Sequence, residues 1–262
     1  MTRLSQLPNK LRLTINQRDY LSYTLLLLWL LMMIFLPIAR WLWGDSILAT
    51  GTNIAALFQA SAVFAIVEKQ WGLSRTLKTF LIIALLTWIA EFIGQQTGFP
   101  FGDYHYTEML QPQIAAVPLL IPIAWFMLLP SSWVMAQAIV GKRDSLAKHA
   151  LFALISGFAL AAWDLFLDPQ MVTWGFWQWN QSGAYFGIPL INYVGWVAVA
   201  ALVTAIIRPK QLKVWPLALI YGIVCFLQAV GQAVFWGQIG PAIAGFLGMA
   251  AIMVLAYWRS QK

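Results

Sequence analysis

The stretch "HALFALISGFALAAWDLFLDPQ", His149 to Gln170, is almost wholly apolar until two aspartates, Asp164 and Asp168, arrive near its end. A helix needs about 20 mostly apolar residues to cross a hydrocarbon core about 30 Å thick, and the run is long enough. Composition agrees with that reading. Of 262 residues 61% are hydrophobic and 10% charged, with 15 Trp, whereas soluble domains carry about a quarter charged residues. The fold class expected is all-α: a polytopic integral membrane helical bundle.

Working outward from this run, apolar spans recur at about 21–39, 47–67, 77–96, 115–140, 147–168, 188–207, 214–235 and 239–258. About eight transmembrane helices in one domain, 21–262, are therefore expected, preceded by a basic cytoplasmic segment, 1–20. Pro118, Pro122 and Pro130 interrupt the fourth span and are expected to kink it without ending it. The break "WGQIG", Trp236 to Gly240, is the weakest of the separators. The first span is longer than the apolar region of a cleaved signal peptide and lacks its small-residue site, so it is read as a permanent helix. Neither an internal repeat nor a second domain is visible, and the single cysteine, Cys225, excludes an internal disulfide framework.

Fifteen of the sixteen Lys and Arg fall on one side of these eight spans, and only Arg40 falls on the other. Cytoplasmic loops collect basic residues, so both termini are expected in the cytoplasm, with loops of about 97–114 and 169–187 on the opposite face. The net charge of +7 is then a consequence of topology. Its scatter over five short segments does not make the continuous basic face of a nucleic-acid partner.

The acids gather toward the non-cytoplasmic face. An ionisable group inside a span costs about 2.5–3.5 kcal/mol on insertion scales and by default faces the bundle interior with a function. Asp164 and Asp168, four residues apart, stack on one helix face, and two adjoining carboxyls hold a shared proton more readily than either would alone. A bland reading stands beside this one: Asp168 before Pro169 ends the helix, and Asp164 meets an interhelical donor. Glu91 and Gln95 repeat the four-residue spacing, and Glu91 either extends the acid cluster or pairs with a donor such as His105. The loop "GFPFGDYHYT" brings Asp103, Tyr104, His105 and Tyr106 near the same face, bent by its glycines and proline into a candidate lid. The second loop is rich in aromatics, among them Trp174, Trp177 and Tyr185. These fit a headgroup-level aromatic belt or a wall that tolerates a carbocation.

Three stretches, "EFIGQQTGFPFGDYHYT", "VPLLIPIAWF" and "AWDLFLDPQMVTWGFWQWNQSGAYFGIPLINYVGW", resemble the membrane carotenoid-biosynthesis family that includes the γ-carotene and bisanhydrobacterioruberin hydratases. The resemblance covers roughly residues 85–200. It implies addition of water to the terminal double bond of an acyclic carotenoid ψ-end, giving a tertiary alcohol without cofactor or oxygen. It also implies that Glu91, Asp103, Tyr104, Asp164, Asp168 and Asn192 lie at the site. Protonation of such an alkene needs a strong acid, an apolar tunnel, a cation-tolerant lining and a positioned water. Asp164, Asp168, Glu91 and Asp103 are the catalytic candidates. Tyr104, His105, Tyr106, Trp163, Trp174, Trp177, Tyr185, Asn192 and Trp196 are the candidate substrate contacts. No metal is expected. The partners expected are the membrane-embedded carotenoid, water, membrane lipid and other enzymes of the pathway, with no nucleic acid. The expected location is a bacterial cell membrane or another pigment-bearing membrane.

Rival functions read differently. Two histidines are too few for a di-iron oxygenase. "DLFLD" has the D-x-x-x-D spacing of one prenyltransferase motif, but a second such motif and outer-face cations for a diphosphate are missing. A carotenoid cyclase shares the protonation step and parts from a hydratase only in the fate of the cation. A lipid or pigment carrier is the non-enzymatic reading, although the inverted repeats common in carriers are not visible.

Overall fold

The computed structural model describes residues 17–261, so most of the basic segment 1–20 lies outside the described residues. Among them, eight helices are long and apolar enough to cross a membrane. They are α1 (Gln17–Trp43), α2 (Ile47–Trp71), α3 (Leu73–Thr97), α4 (Leu120–Val140), α5 (Leu146–Thr173), α6 (Leu190–Ile207), α7 (Val214–Val230, extended by a π-helical turn, Gly231–Phe235) and α8 (Ile239–Ser260). The weak break at "WGQIG" is a genuine interhelical turn between Phe235 and Ile239. The protein is an all-α, multi-pass integral membrane bundle.

The helices α4 and α5 form its centre and are the most deeply buried of the eight. Lipid-facing helices have no hydrophobic drive toward one another, so close backbone approach and interhelical hydrogen bonds matter more. Both are present. A Cβ on Gly157 of α5 would sit 2.4 Å from the Val197 carbonyl of α6, so only glycine allows that crossing. Trp133 Nε1 of α4 donates to Thr204 Oγ1 of α6 at 2.8 Å, and Tyr221 Oη of α7 donates to the Ala159 carbonyl of α5 at 2.7 Å.

Two boundaries differ from the hydropathy reading. The fourth helix begins at Leu120 because residues before it form a small hairpin, β2 (Gln113–Ile114) against β3 (Val117–Pro118). Pro118 is thus in a strand and Pro122 in the first helical turn, where no intrahelical donor is needed; only Pro130 is internal. The fifth helix does not stop at Asp168 but runs through Pro169 to Thr173. Proline cannot donate to the carbonyl four residues earlier, here that of Leu165. Tyr185 Oη meets that carbonyl at 2.9 Å and replaces the lost donor. The loop residue therefore helps keep Asp168 on the same helical face as Asp164.

The two loops at this end are not independent. Strand β1 (Tyr104–Tyr106) pairs antiparallel with β4 (Trp177–Trp179), matching Tyr104 with Trp179, His105 with Gln178 and Tyr106 with Trp177. Side chains alternate across a strand, so the four aromatics face the bundle while His105 and Gln178 face outward. The loop leading into β1 is seated on α6 at Gly195, where a Cβ would stand 2.6 Å from the Pro100 carbonyl.

Candidate active site

Beneath the ribbon, three helices bring polar residues into an apolar surround: α3 brings Glu91, α5 the Asp164–Asp168 pair, and α6 Asn192. All four side chains are buried. The i, i+4 geometry of α5 sets the two aspartates one above the other on one helix face. Asn192 Nδ2 spans them, donating to Asp164 Oδ2 at 2.9 Å and to Asp168 Oδ2. Trp177 Nε1 of β4 donates to Asp168 Oδ1 at 3.1 Å. Both oxygens of Asp168 are thereby engaged, whereas Asp164 Oδ1 is buried without a hydrogen-bond partner among the described residues.

Glu91 collects three donors. Tyr104 Oη and Tyr106 Oη reach its Oε2 at 2.5 and 2.9 Å, and Trp125 Nε1 of α4 reaches Oε1 at 3.3 Å. Hydrogen bonds to a charged group contribute about 1.5–3 kcal/mol each, and these offset the cost of burying the carboxyl. Burial first, and then the adjoining Glu91, push both phenols well above the usual tyrosine range, so they remain hydroxyl donors.

These groups enclose a chamber of about 30 Å³ walled by Glu91, Asp168, Asn192, Tyr104, Tyr106 and the tryptophans 125, 177, 179 and 196. Such a volume holds about one water with several polar partners. Trp125 and Trp196 are stacked at 4.2 Å between ring centroids, and Trp163 stands edge-on to Trp196 at 6.1 Å. On the far side of Leu167 lies an apolar groove of about 270 Å³ running among α1, α2, α5 and α7, with Trp29, Trp163, Trp174 and Trp236 in its wall. Leu167 belongs to the walls of both spaces. Among the described residues no group of three or more His, Cys, Asp or Glu is placed to hold a metal ion.

The residues singled out by sequence are distributed as follows. Glu91, Asp168, Tyr104, Tyr106, Trp177, Asn192 and Trp196 meet at the chamber; Asp164 lies behind Asp168; Trp163 and Trp174 belong to the groove. Tyr185 serves the α5 backbone instead. Asp103 and His105 are exposed, and both engage Asn180: its Nδ2 donates to Asp103 Oδ1 at 2.8 Å, and its Oδ1 lies 3.2 Å from His105 Nδ1. They join the two loops on the outer surface, and the donors to Glu91 are Tyr104, Tyr106 and Trp125 rather than His105. Gln95 donates to the Ala116 carbonyl at 2.9 Å and takes no part in the cluster. Sequence reasoning did not single out Trp125. Tryptophan carries an N–H that wants a partner when buried, which was the available signal for Trp125 in so apolar a helix.

A sequence model of the family described as carotenoid biosynthesis protein matches residues 51–253. The chain belongs to the carotenoid biosynthesis protein family. The matched region takes in every residue of the chamber. Among curated proteins, the family member is similar to one of Haloarcula japonica named bisanhydrobacterioruberin hydratase, 28% identical over 148 residues, which are 56% of this chain and 48% of that protein. The similarity thus spans about half the length of that relative. No solved structure matches the chain.

Proposed function

We propose that this family member is a carotenoid hydratase, adding water across the terminal double bond of an acyclic ψ-end to give a tertiary alcohol. The observation that carries the proposal is a water-sized chamber with carboxyls on two sides that shares Leu167 in its wall with an aromatic-walled apolar groove. The polyene lies in the groove, and displacement of the Leu167 side chain lets its end group take the space that side chain leaves, at the edge of the chamber and next to the water held there. One proton is held between Asp164 and Asp168. Asp168, on the chamber wall, delivers it to the less substituted alkene carbon, and the π pair forms the new C–H bond. The tertiary cation left behind faces the indoles of Trp125 and Trp196, whose ring faces favour cations. A water oriented by Glu91 and Asn192 attacks the cation through its oxygen lone pair, and its surplus proton passes to Glu91. Glu91 and Asp168 border the same chamber, so the proton returns across it and the cycle closes with nothing consumed but alkene and water. Asp103 and His105 have no part in these steps.

The similarity to a hydratase by name supports this reading over cyclisation, and so does the chamber's size, which suits water better than a folding end group. Expression in a host that accumulates lycopene tests it. Pigment heavier by one water is expected. An isomer of unchanged mass sinks the hydratase in favour of a cyclase, and a five-carbon gain points to prenyl transfer. For orientation we adopt the Lys/Arg bias: both termini cytoplasmic and the chamber toward the opposite face, in a bacterial cell membrane. In a Cys225→Ser background, cysteines replacing Gln111 or Gln181 should then react with an impermeant thiol reagent from outside, and one replacing Ser145 should not.

A further inference from the structure

The end of the bundle opposite the chamber carries a cleft of about 1040 Å³ between the α4–α5 connection, the α6–α7 connection and the last turn of α8. Its wall includes Lys142, Arg143, Arg208, Lys210 and Arg259 against one acid, Asp144. That acid is already paired with Lys148, 3.0 Å away. None of the five basic side chains has a carboxylate partner among the described residues. Arg143 instead lies over the Phe152 ring at 4.2 Å, which fixes its guanidinium at the cleft wall.

Topology accounts for basic residues on one face but not for their convergence on a cavity. Of the other cations on that face, Lys69 does not border the cleft, and Arg75 and Lys78 line a separate, smaller one of about 680 Å³ with two cations in its wall against five here. The loop carrying Arg208 and Lys210 is also held in place. Gln137 of α4 binds both polar groups of one peptide residue there: its Nε2 donates to the Leu212 carbonyl at 2.9 Å, and its Oε1 accepts from the Leu212 N–H at 3.1 Å. Deeper in, the cleft turns apolar, over Met135, Ala138, Ala218, Met253 and Ala256.

A cationic mouth above an apolar floor, at a membrane helix end, matches a ligand with a phosphate head and a hydrocarbon body. We propose that this cleft binds the headgroup of an anionic phospholipid, with its acyl chain along the α7–α8 floor. The phosphate is what the cations recognise, and the floor selects a phosphate borne on lipid over a free one. This site is independent of the carotenoid chemistry and stands or falls without it.

The test uses the purified full-length protein in detergent, titrated with phosphatidylglycerol in mixed micelles and followed by native mass spectrometry and thermal unfolding. Saturable retention of about one lipid with a raised Tm is expected. Phosphatidylcholine and inorganic phosphate should give neither. The triple variant Lys142→Gln/Lys210→Gln/Arg259→Gln changes only exposed side chains and should bind about fivefold more weakly for each charge removed, from about 1 kcal/mol per basic residue. Arg75→Gln/Lys78→Gln, on the same face outside the cleft, should bind as the unmodified protein does. Equal weakening in both variants would reduce the effect to general surface charge and overturn the site. A Tm shift reproduced by phosphate alone, or by phosphatidylcholine, would overturn the lipid assignment.

Discussion

Asp164→Asn separates the acid chemistry from the architecture more cleanly than any other substitution at the site. Asp164 Oδ2 accepts from Asn192 Nδ2 at 2.9 Å, while Oδ1 is buried and unpartnered. An asparagine can set its carbonyl in place of Oδ2 and its amide in place of Oδ1, so no donor is turned against a donor. The change in stability should stay within about 1 kcal/mol, the net contribution of an ordinary hydrogen bond. The chemical effect is larger. Without Asp164 the proton held between the two carboxyls has lost one of its two sites, and Asp168, surrounded by the N–H donors of Trp177 and Asn192, is left as a plain acceptor. General acid catalysis contributes about 10²–10⁴-fold, or about 3–5 kcal/mol of barrier, and turnover should fall by that factor. The assay is initial-rate pigment conversion in isolated membranes, with thermal unfolding and pigment retention measured on the same preparation. Activity within about fivefold of the unmodified protein, with unchanged unfolding, would refute the shared-proton account.

The remaining substitutions probe the water, the passage and the scaffold. Tyr104→Phe removes the 2.5 Å donor to Glu91; hydration should slow about tenfold or more, with a rising share of product that has lost a proton instead of gaining water, read from the ratio of product masses. Leu167→Trp should fill the passage between groove and chamber and abolish conversion while the protein remains folded and inserted; conversion at the ordinary rate would place the substrate's path elsewhere. Tyr185→Phe leaves the Leu165 carbonyl, already without its helical donor because of Pro169, unsatisfied. A stability loss of about 1–3 kcal/mol is expected, measured as a lowered unfolding midpoint in detergent, with some loss of activity as Asp168 drifts from Asp164.

Much of the fold was legible because lipid imposes it. Backbone polar groups in hydrocarbon must be satisfied within the protein, most simply within a helix, so hydropathy alone locates helices, and each of the expected spans became one. The misplaced edges have local causes. Residues 115–118 are apolar enough to join the fourth span, yet they belong to a hairpin, and the carbonyl freed by Pro169 is satisfied by a tyrosine sixteen residues later in the chain, which no local rule anticipates. At the site, the Asp164–Asp168 spacing was readable because a helix face is a local property. The alternation in "YHY" and "WQW" was readable in principle as two strand edges, and it would have turned His105 outward. Asp103 was placed at the site through a resemblance, and its side chain proves to sit on the outer surface with Asn180. The partners of Glu91 come from α4 and from β1. Such pairings are set by how helices pack, and one sequence does not contain them.

The central claim is that a proton from buried carboxyls and the oxygen of water enter the same double bond. Purified protein with lycopene, incubated under argon in water enriched in both deuterium and oxygen-18, tests it in one mass spectrum. The account predicts one oxygen-18 in the new alcohol and one deuterium on the adjacent carbon, formed without molecular oxygen. An alcohol that forms only in air, with oxygen of ordinary mass, would contradict it.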